Sequence, residues 1–241
     1  MKLIEIYDFL DNLSPFSTQA KWDNSGLLVG NFNDDINKIY LSLDVDLDLI
    51  EKAEENSLFI VHHPIIFKPL KNLANMSYPN NILNKMIKKN ISLISMHTNY
   101  DLSHLNKYFV EKVLKFNISY QDEYLIYVDL NIKLYDLINH IKKCLNINVL
   151  KISYGGNNSI SKIAICTGSG GDLIQNVNAD CFLSGDFKYH QALEAISNNL
   201  TLIDIAHYES EICFSNSLYE HLQILPLKVI ITASKNPFEY F

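Results

Sequence analysis

Two adjacent histidines, His62 and His63, stand in the apolar run LFIVHHPIIF at residues 58–67. Successive strand residues point to opposite faces, so neighbouring histidines can share a ligand only where the strand has ended. Pro64 keeps His63 out of the helical region and favours an extended turn at this point. An isolated pair of this kind is usually one core histidine and one exposed histidine, so its meaning depends on the rest of the chain.

Two further histidines are each followed by a carboxylate four residues later, as His97 with Asp101 and His207 with Glu211. At helical spacing His207 and Glu211 would share one face, which suits either a common metal ion or a surface ion pair. Asp101 taken alone would cap a helix that begins near Ser103. His97 is either a ligand or a group that orients a ligand or transfers a proton.

Imidazole and carboxylate groups without thiolate favour Zn, Mn, Fe(II), Co or Ni over a structural cysteine zinc site. Three histidines and two carboxylates exceed what one catalytic ion with an open position needs. They fit two ions joined by a carboxylate, either Glu211 or Asp101. None of the four cysteines belongs to a C-x-x-C pair. We interpret them as reduced core residues of a cytoplasmic protein.

The elements that must position these residues are short apolar strands that alternate with helical patterns. Such strands predict a parallel sheet covered on both faces, with ligands bound beyond the carboxyl ends of the strands. In the first half we predict strands at 38–44, 57–64 and 91–101, and helices at 46–56, 80–90 and 103–115.

The second half repeats this order, and its third strand again ends in a histidine followed by a carboxylate. We predict strands near 162–171, 180–190, 200–211 and 227–233. Helices are predicted at 172–179, at 191–199 and from the end of the strand 200–211 to about 223. The chain is therefore expected to be an α/β protein with two related three-layer lobes, mainly parallel sheets and a dimetal site in the cleft between the lobes. Residues 1–117 would form the first lobe, to which a C-terminal strand within 226–241 could return, and residues 118–241 the second lobe, including a short middle section.

Composition excludes several classes of partner. All 20 cationic residues are lysines and the formal net charge is -7, so we expect no general nucleic-acid binding and no attraction to an anionic membrane. No apolar run approaches the roughly 18 residues of a membrane span. The segment MKLIEIYDFLDNL is predicted to be an amphipathic helix and not a signal peptide.

The turn TGSGGD at 167–172 either presents N–H groups to an anion or is a tight turn that needs glycine.

Seven motifs occur in the order typical of the Nif-three-like family, which this chain resembles over nearly its whole length: WDNSGLLVG, SLD, HHPIIF, SMHTNYD, TGSGG, LSGDFKYH and AHYESE. The resemblance implies two divalent metal ions per chain, no organic cofactor and a homohexamer. His97 matches the family motif, and we assign it a catalytic role in proton transfer. The implied metal ligands are His62, His63, Asp101, His207 and Glu211.

Bacterial members of this family are often named GTP cyclohydrolase I type 2. The resemblance therefore implies hydrolysis of GTP, or of another nucleotide, with GTP and water giving 7,8-dihydroneopterin triphosphate and formate. The same site could instead hydrolyse a phosphoester, or bind metal without turnover in a regulatory or interaction protein. Because the chain has no arginine, we expect phosphate contacts from lysines such as Lys68, Lys71 and Lys188.

Overall fold

The computed structural model describes residues 1–74 and 77–239. The chain divides into two units. The first unit combines Met1–Tyr100 with Phe214–Phe241, and the second unit is Asp101–Cys213.

The described strands are, in chain order, β1 Gly26–Val29, β2 Lys38–Ser42, β3 Ser57–Val61, β4 Ser92–Ser95, β5 Tyr120–Asp122, β6 Leu125–Lys133, β7 Lys151–Ser153, β8 Ser159–Ile165, β9 Cys181–Ser184, β10 Thr201–Asp204 and β11 Lys228–Ile231.

The described α-helices are α1 Leu3–Leu13, α2 Leu47–Lys52, α3 Asn80–Lys88, α4 Thr98–Tyr100, α5 Asn106–Tyr108, α6 Leu134–Leu145, α7 Tyr189–Ser197, α8 His207–Glu211 and α9 Phe214–Leu222. Short 3-10 helices lie at Phe16–Thr18 and Gly171–Asn176, and π-helical turns at Asp101–Leu105 and Phe109–Val113. Within the described ranges, no helix is both long and apolar enough to span a membrane.

The sheet of the first unit has the strand order β1-β4-β3-β2-β11. Strands β2, β3, β4 and β11 run parallel, and β1 pairs antiparallel with β4. Every residue of β3 is buried, as expected for an apolar strand covered on both faces. Residues of α3, including Ile82 and Met86, pack with β3 and β4 residues in one apolar cluster.

The sheet of the second unit has the order β5-β6-β8-β9-β10-β7. Its centre, β8-β9-β10, is parallel, while the other three pairings are antiparallel. The predicted α/β class with two sheets is thus confirmed, but the second sheet differs from the mainly parallel arrangement that we expected. The difference arises in the middle section, whose strands take both edges of this sheet. A short turn at Glu123 joins β5 to β6, and a connection of this length permits only antiparallel pairing.

Each sheet therefore contains three parallel strands that are sequential in space, β2-β3-β4 in the first unit and β8-β9-β10 in the second. Their carboxyl ends lead directly into the predicted site residues. His62 follows β3, His97 comes two residues after β4, and His207 comes three residues after β10. The fold thus collects the candidate side chains at equivalent strand ends within each unit.

Candidate functional site

The histidine pair lies just beyond the end of β3. Strand β3 ends at Val61, and the backbone N–H groups of His62 and His63 both donate to the carbonyl oxygen of Leu43, at 3.2 and 3.1 Å. Two donors that converge on one carbonyl end the regular ladder three residues before the predicted end of the strand. Because both residues follow the strand, their side chains need not point to opposite faces of the sheet. Their ring centroids lie 5.0 Å apart.

His97 joins this pair to form the histidine cluster of the first unit. Its ring centroid lies 5.0 Å from that of His62 and 5.6 Å from that of His63. One ring nitrogen from each of the three residues lies within 4.8 Å of the other two. His62 is fully buried, whereas His63 and His97 are partly exposed. Three imidazoles at this spacing offer nitrogen donors to a divalent metal ion.

Each histidine of the cluster has Nδ1 held by an oxygen acceptor. The pairs are His62 with the Met96 carbonyl at 2.8 Å, His63 with Asp44 Oδ1 at 2.8 Å, and His97 with Asp23 Oδ1 at 2.7 Å. A carbonyl or an ionised carboxylate only accepts, so Nδ1 carries the proton in each neutral ring. Nε2 then carries the lone pair, which is the arrangement that metal-binding histidines adopt.

Asp23 accepts several hydrogen bonds besides the one from His97. Its fully buried carboxylate also accepts hydrogen bonds from the backbone N–H groups of Asn24 and Thr98 and from the hydroxyl of Ser25. Burial alone would raise the pKa of Asp23, but the hydrogen bond and charge of His97 and the bond from Thr98 hold that pKa well below its ordinary range. Asp23 therefore remains ionised beside His97 throughout the physiological pH range.

The helical segment after β4 begins earlier than expected. It starts at Thr98, the first residue of α4, whose N–H donates to Asp23 at 3.0 Å. A carboxylate remote in sequence therefore caps this helical turn, as a local cap residue usually does. The interpretation of Asp101 as the cap of a helix beginning near Ser103 is wrong, because Asp101 already lies within the helical turns.

In the second unit, the predicted strand 200–211 is too long, because β10 ends at Asp204 and helix α8 begins at His207 and ends at Glu211. The spacing of His207 and Glu211 is thus the helical one. His207 Nε2 lies 3.0 Å from Glu211 Oε2, and its Nδ1 lies 2.7 Å from Asp186 Oδ2. Glu211 is buried, whereas Asp186 is about half exposed. His207 thus has the same carboxylate-held Nδ1 as two histidines of the first unit.

Asp101 lies close to Glu211 in the same unit. One carboxylate oxygen of each lies within 4.8 Å of the other. Both act on the neighbouring thiols of Cys166 and Cys213, since burial raises the pKa of each thiol and the two negative charges raise it further. Two carboxylates this close repel one another unless a cation or a proton lies nearby. Asp101 and His207 each lie close to Glu211, and we call these three residues the second donor group.

The glycine turn at 167–172 lies against Glu211, and two of its N–H groups donate to serine hydroxyls. The N–H of Gly168 donates to Ser210 Oγ at 3.0 Å, and that of Gly170 to Ser184 Oγ at 2.8 Å. Gly168 has φ +61°, and a Cβ at this position would collide with Oε1 of Glu211. The tight-turn interpretation is the one that the hydrogen bonds favour. The three lysines predicted to contact phosphate, Lys68, Lys71 and Lys188, are exposed.

The carboxylates that hold the histidines, Asp44, Asp186 and Asp23, are not among the site residues predicted from the sequence. A signal for the first two was present: Asp44 comes two residues after β2 and Asp186 two residues after β9, so both lie just beyond parallel strands, as the histidines do. Asp23 gives no comparable signal, because the loop that carries it does not follow a strand of the parallel sheet.

The donor chemistry of both groups fits a divalent transition metal. Among the described residues, imidazole nitrogens and carboxylate oxygens come together there, and no cysteine sulfur lies close enough to join them. Four imidazoles are oriented through Nδ1, which makes Nε2 the nitrogen that can coordinate.

Comparison with known proteins adds a family. The model of a family described as Duf34/NIF3 (NGG1p interacting factor 3) matches residues 1–237. A protein of Campylobacter jejuni named GTP cyclohydrolase 1 type 2 homolog is 60% identical over 100% of both chains. A protein of Helicobacter pylori strain J99 named GTP cyclohydrolase 1 type 2 is 40% identical over 98% of this chain and 97% of its own.

A solved structure gives the same result at the level of the fold. The crystal structure of Staphylococcus aureus protein SA1388 superposes with a TM-score of 0.88 and 26% identity, covering 100% of this chain and 99% of that one. The structural likeness therefore extends over both units of the chain, as does the sequence match.

Proposed function

Because the chain belongs to the Duf34/NIF3 family, we propose that it is a divalent-metal-dependent hydrolase that acts on a nucleotide. The most specific form of this proposal is the conversion of GTP and water to 7,8-dihydroneopterin triphosphate and formate. The names of the relatives from Campylobacter jejuni and Helicobacter pylori support the reaction. The observation that carries the metal dependence is the orientation of the three proposed histidine ligands, His62, His63 and His207, through Nδ1, which makes each Nε2 the nitrogen that can coordinate.

We propose two divalent ions per chain, held by the five residues that the family resemblance implies as ligands. Bound ions of this kind supply Lewis-acid activation of water and of the substrate. Zn, Mn, Fe, Co and Ni are all compatible with the nitrogen and oxygen donors. The ligands are His62, His63, Asp101, His207 and Glu211.

His97 is the proposed proton-transfer residue. Its Nδ1–H is held by the buried, ionised carboxylate of Asp23, so its Nε2 can accept a proton. Asp23 then stabilises the imidazolium that forms and keeps the ring in one orientation. His97 can return the proton to the leaving group in a later step, which a ring opening that releases formate requires.

The decisive experiment is turnover by purified, metal-loaded protein. We expect formate release from GTP, together with a pterin that becomes fluorescent after oxidation, and we expect chelation to abolish both and added metal to restore them. Hydrolysis of a generic phosphodiester without formate release would replace the cyclohydrolase assignment with a phosphoesterase. Failure to turn over GTP, other nucleotides and phosphoesters, with metal bound, would instead favour a metal-binding regulatory or interaction protein.

The family resemblance also supports a homohexamer. Light scattering of the metal-loaded protein tests this, and a monomer or dimer at micromolar concentration would contradict it.

A further inference from the structure

Two large aromatic side chains are exposed beside the histidine cluster. Trp22 is 62% exposed and Phe67 is 49% exposed. The Trp22 ring lies edge-on to His97, with centroids 6.0 Å apart and planes at 75°. The Phe67 ring is likewise edge-on to His97, at 6.4 Å and 80°. Trp22 and Phe67 also contact one another at 5.9 Å. We call these two residues the aromatic platform.

The loop that carries Trp22 is held firmly. Gln19 accepts a hydrogen bond from Ser25 N–H at 2.7 Å and donates to the Phe16 carbonyl at 2.9 Å, which closes the loop on itself. Asn24 Nδ2 donates to the Ile66 carbonyl at 2.6 Å, so this loop is tied to the segment that carries Phe67. The backbone on both sides of Trp22 is consequently tied down by hydrogen bonds.

The composition of the chain restricts how a nucleotide can be recognised. Without any arginine, neither bidentate guanidinium contacts to phosphate nor guanidinium stacking on a base is possible. Lysines can still contact phosphate, but stacking on the base must then come from aromatic or imidazole rings. An exposed, preorganised indole is suited to this task, because stacking needs only a π-face and costs little side-chain entropy.

We propose that Trp22 and Phe67 are the binding residues for the planar heterocycle of the substrate, a nucleobase, which stacks on the exposed indole face. A nucleobase is a flat ring with an apolar face and a polar edge. The surface beside the cluster has the same change in polarity, from the apolar ring of Trp22 to the polar imidazole of His97, 6.0 Å away. This inference rests on the proposed function in one respect: the stacked base is the ring on which His97 acts.

Intrinsic fluorescence tests the inference directly, because Trp22 is the single tryptophan of the chain. Metal-loaded protein is titrated with guanosine, GTP, ribose 5-phosphate and inorganic triphosphate, with excitation at the red edge and N-acetyltryptophanamide as the correction for absorbance. We expect saturable quenching by guanosine and GTP and none by the two compounds that lack a nucleobase.

Calorimetry on variants gives the second readout. Trp22→Leu should weaken GTP binding roughly tenfold or more, whereas Trp22→Phe, which retains a π-face, should weaken it less. Phe67→Leu should weaken binding to a smaller extent. Tyr135→Leu removes an aromatic ring of similar exposure, 72%, from the second unit and should leave binding unchanged. Thermal melts establish that all four variants fold.

Equal GTP affinity of wild type and Trp22→Leu, or binding of inorganic triphosphate as tight as that of GTP, would overturn the inference. These outcomes are separable from failure of the proposed function. Formate release with an unchanged KM in Trp22→Leu would leave the reaction standing and remove the platform. Saturable quenching by guanosine without formate release would retain the platform and remove the reaction.

Discussion

Oδ1 of the fully buried Asp23 lies 2.7 Å from Nδ1 of His97. The same relationship recurs at His63 with Asp44, at 2.8 Å, and in the second unit at His207 with Asp186, at 2.7 Å. Carboxylates that orient imidazoles in this way fix the tautomer and raise the basicity of Nε2. We therefore expect substitution of the carboxylates that bind Nδ1, as well as of the proposed ligands, to affect the site.

Replacement of His97 by alanine should separate catalysis from metal binding. We expect His97→Ala to keep its metal and to lose roughly 10²–10⁴-fold in kcat, because only proton transfer is removed. Metal analysis and formate assay on the same preparation measure the two effects. Loss of both ions from this variant would make His97 a ligand and contradict the proposed role.

Asp23→Asn should impair the same step through the tautomer of His97. An amide can donate to Nδ1, which would move the proton to Nε2 and block its use as a base. We expect a loss in kcat of roughly 10²-fold or more with KM little changed. Asp48→Asn alters an exposed carboxylate paired with Lys52 and serves as the control. A normal rate in Asp23→Asn would show that His97 needs no orienting partner.

The lowered pKa of Asp23 also has a consequence for stability. A carboxyl whose pKa is lower in the folded than in the unfolded state stabilises the fold above its ordinary pKa, here 3.8, and this contribution is lost as the pH falls from there through the lowered value. Thermal midpoints measured from pH 6 to pH 2 should therefore fall more steeply for wild type than for Asp23→Asn. Parallel curves would contradict this.

Asp101→Asn and Glu211→Gln should release metal while the fold survives. The two carboxylates lie close together, so removal of one negative charge relieves repulsion in the metal-free protein. Elemental analysis and thermal melts of each variant, with the exposed Glu123→Gln as control, measure the effects. A variant that retains both ions would show that the substituted carboxylate is not a ligand.

Gly168→Ala should destabilise the protein and disturb Glu211. Gly168 combines φ +61° with a position where a Cβ would collide with Oε1 of Glu211. Gly156→Ala is the matched control, since Gly156 has φ +103° but no atom within 4 Å of the place that an added methyl group would take. Both substitutions strain the backbone, by about 1–2 kcal/mol at φ +61° and by more at φ +103°, and only Gly168→Ala should also lose metal affinity. Equal metal affinity in the two variants would contradict the prediction.

The apolar strands and the histidine motifs were readable from the sequence because both depend on local pattern. Continuous burial of β3 and the helical spacing of His207 with Glu211 are properties of a few adjacent residues. The family, too, follows from short motifs in a fixed order, and the match over residues 1–237 confirms it.

What could not be predicted depends on pairing between distant segments. The bond between Asp23 and Thr98 joins residues 75 positions apart and moves the start of a helix. In the second sheet, β6 pairs antiparallel with β8 and β7 with β10. The alternation of apolar residues does not specify these pairings. Likewise, Asp44 orients His63 and Asp186 orients His207 through contacts between separate loops, which the sequence does not reveal.

The order in which the first unit is assembled from the chain follows from its discontinuity. Its sheet gains β11 beside β2, and the ring of Phe214 comes to lie 5.0 Å from that of His62, only after residues 101–213 have been synthesised. During translation, the apolar surroundings of the histidine cluster are therefore complete only after this intervening segment has been synthesised. Nascent chains arrested before Phe214 should hold His62 more accessible to imidazole-modifying reagents than chains released in full.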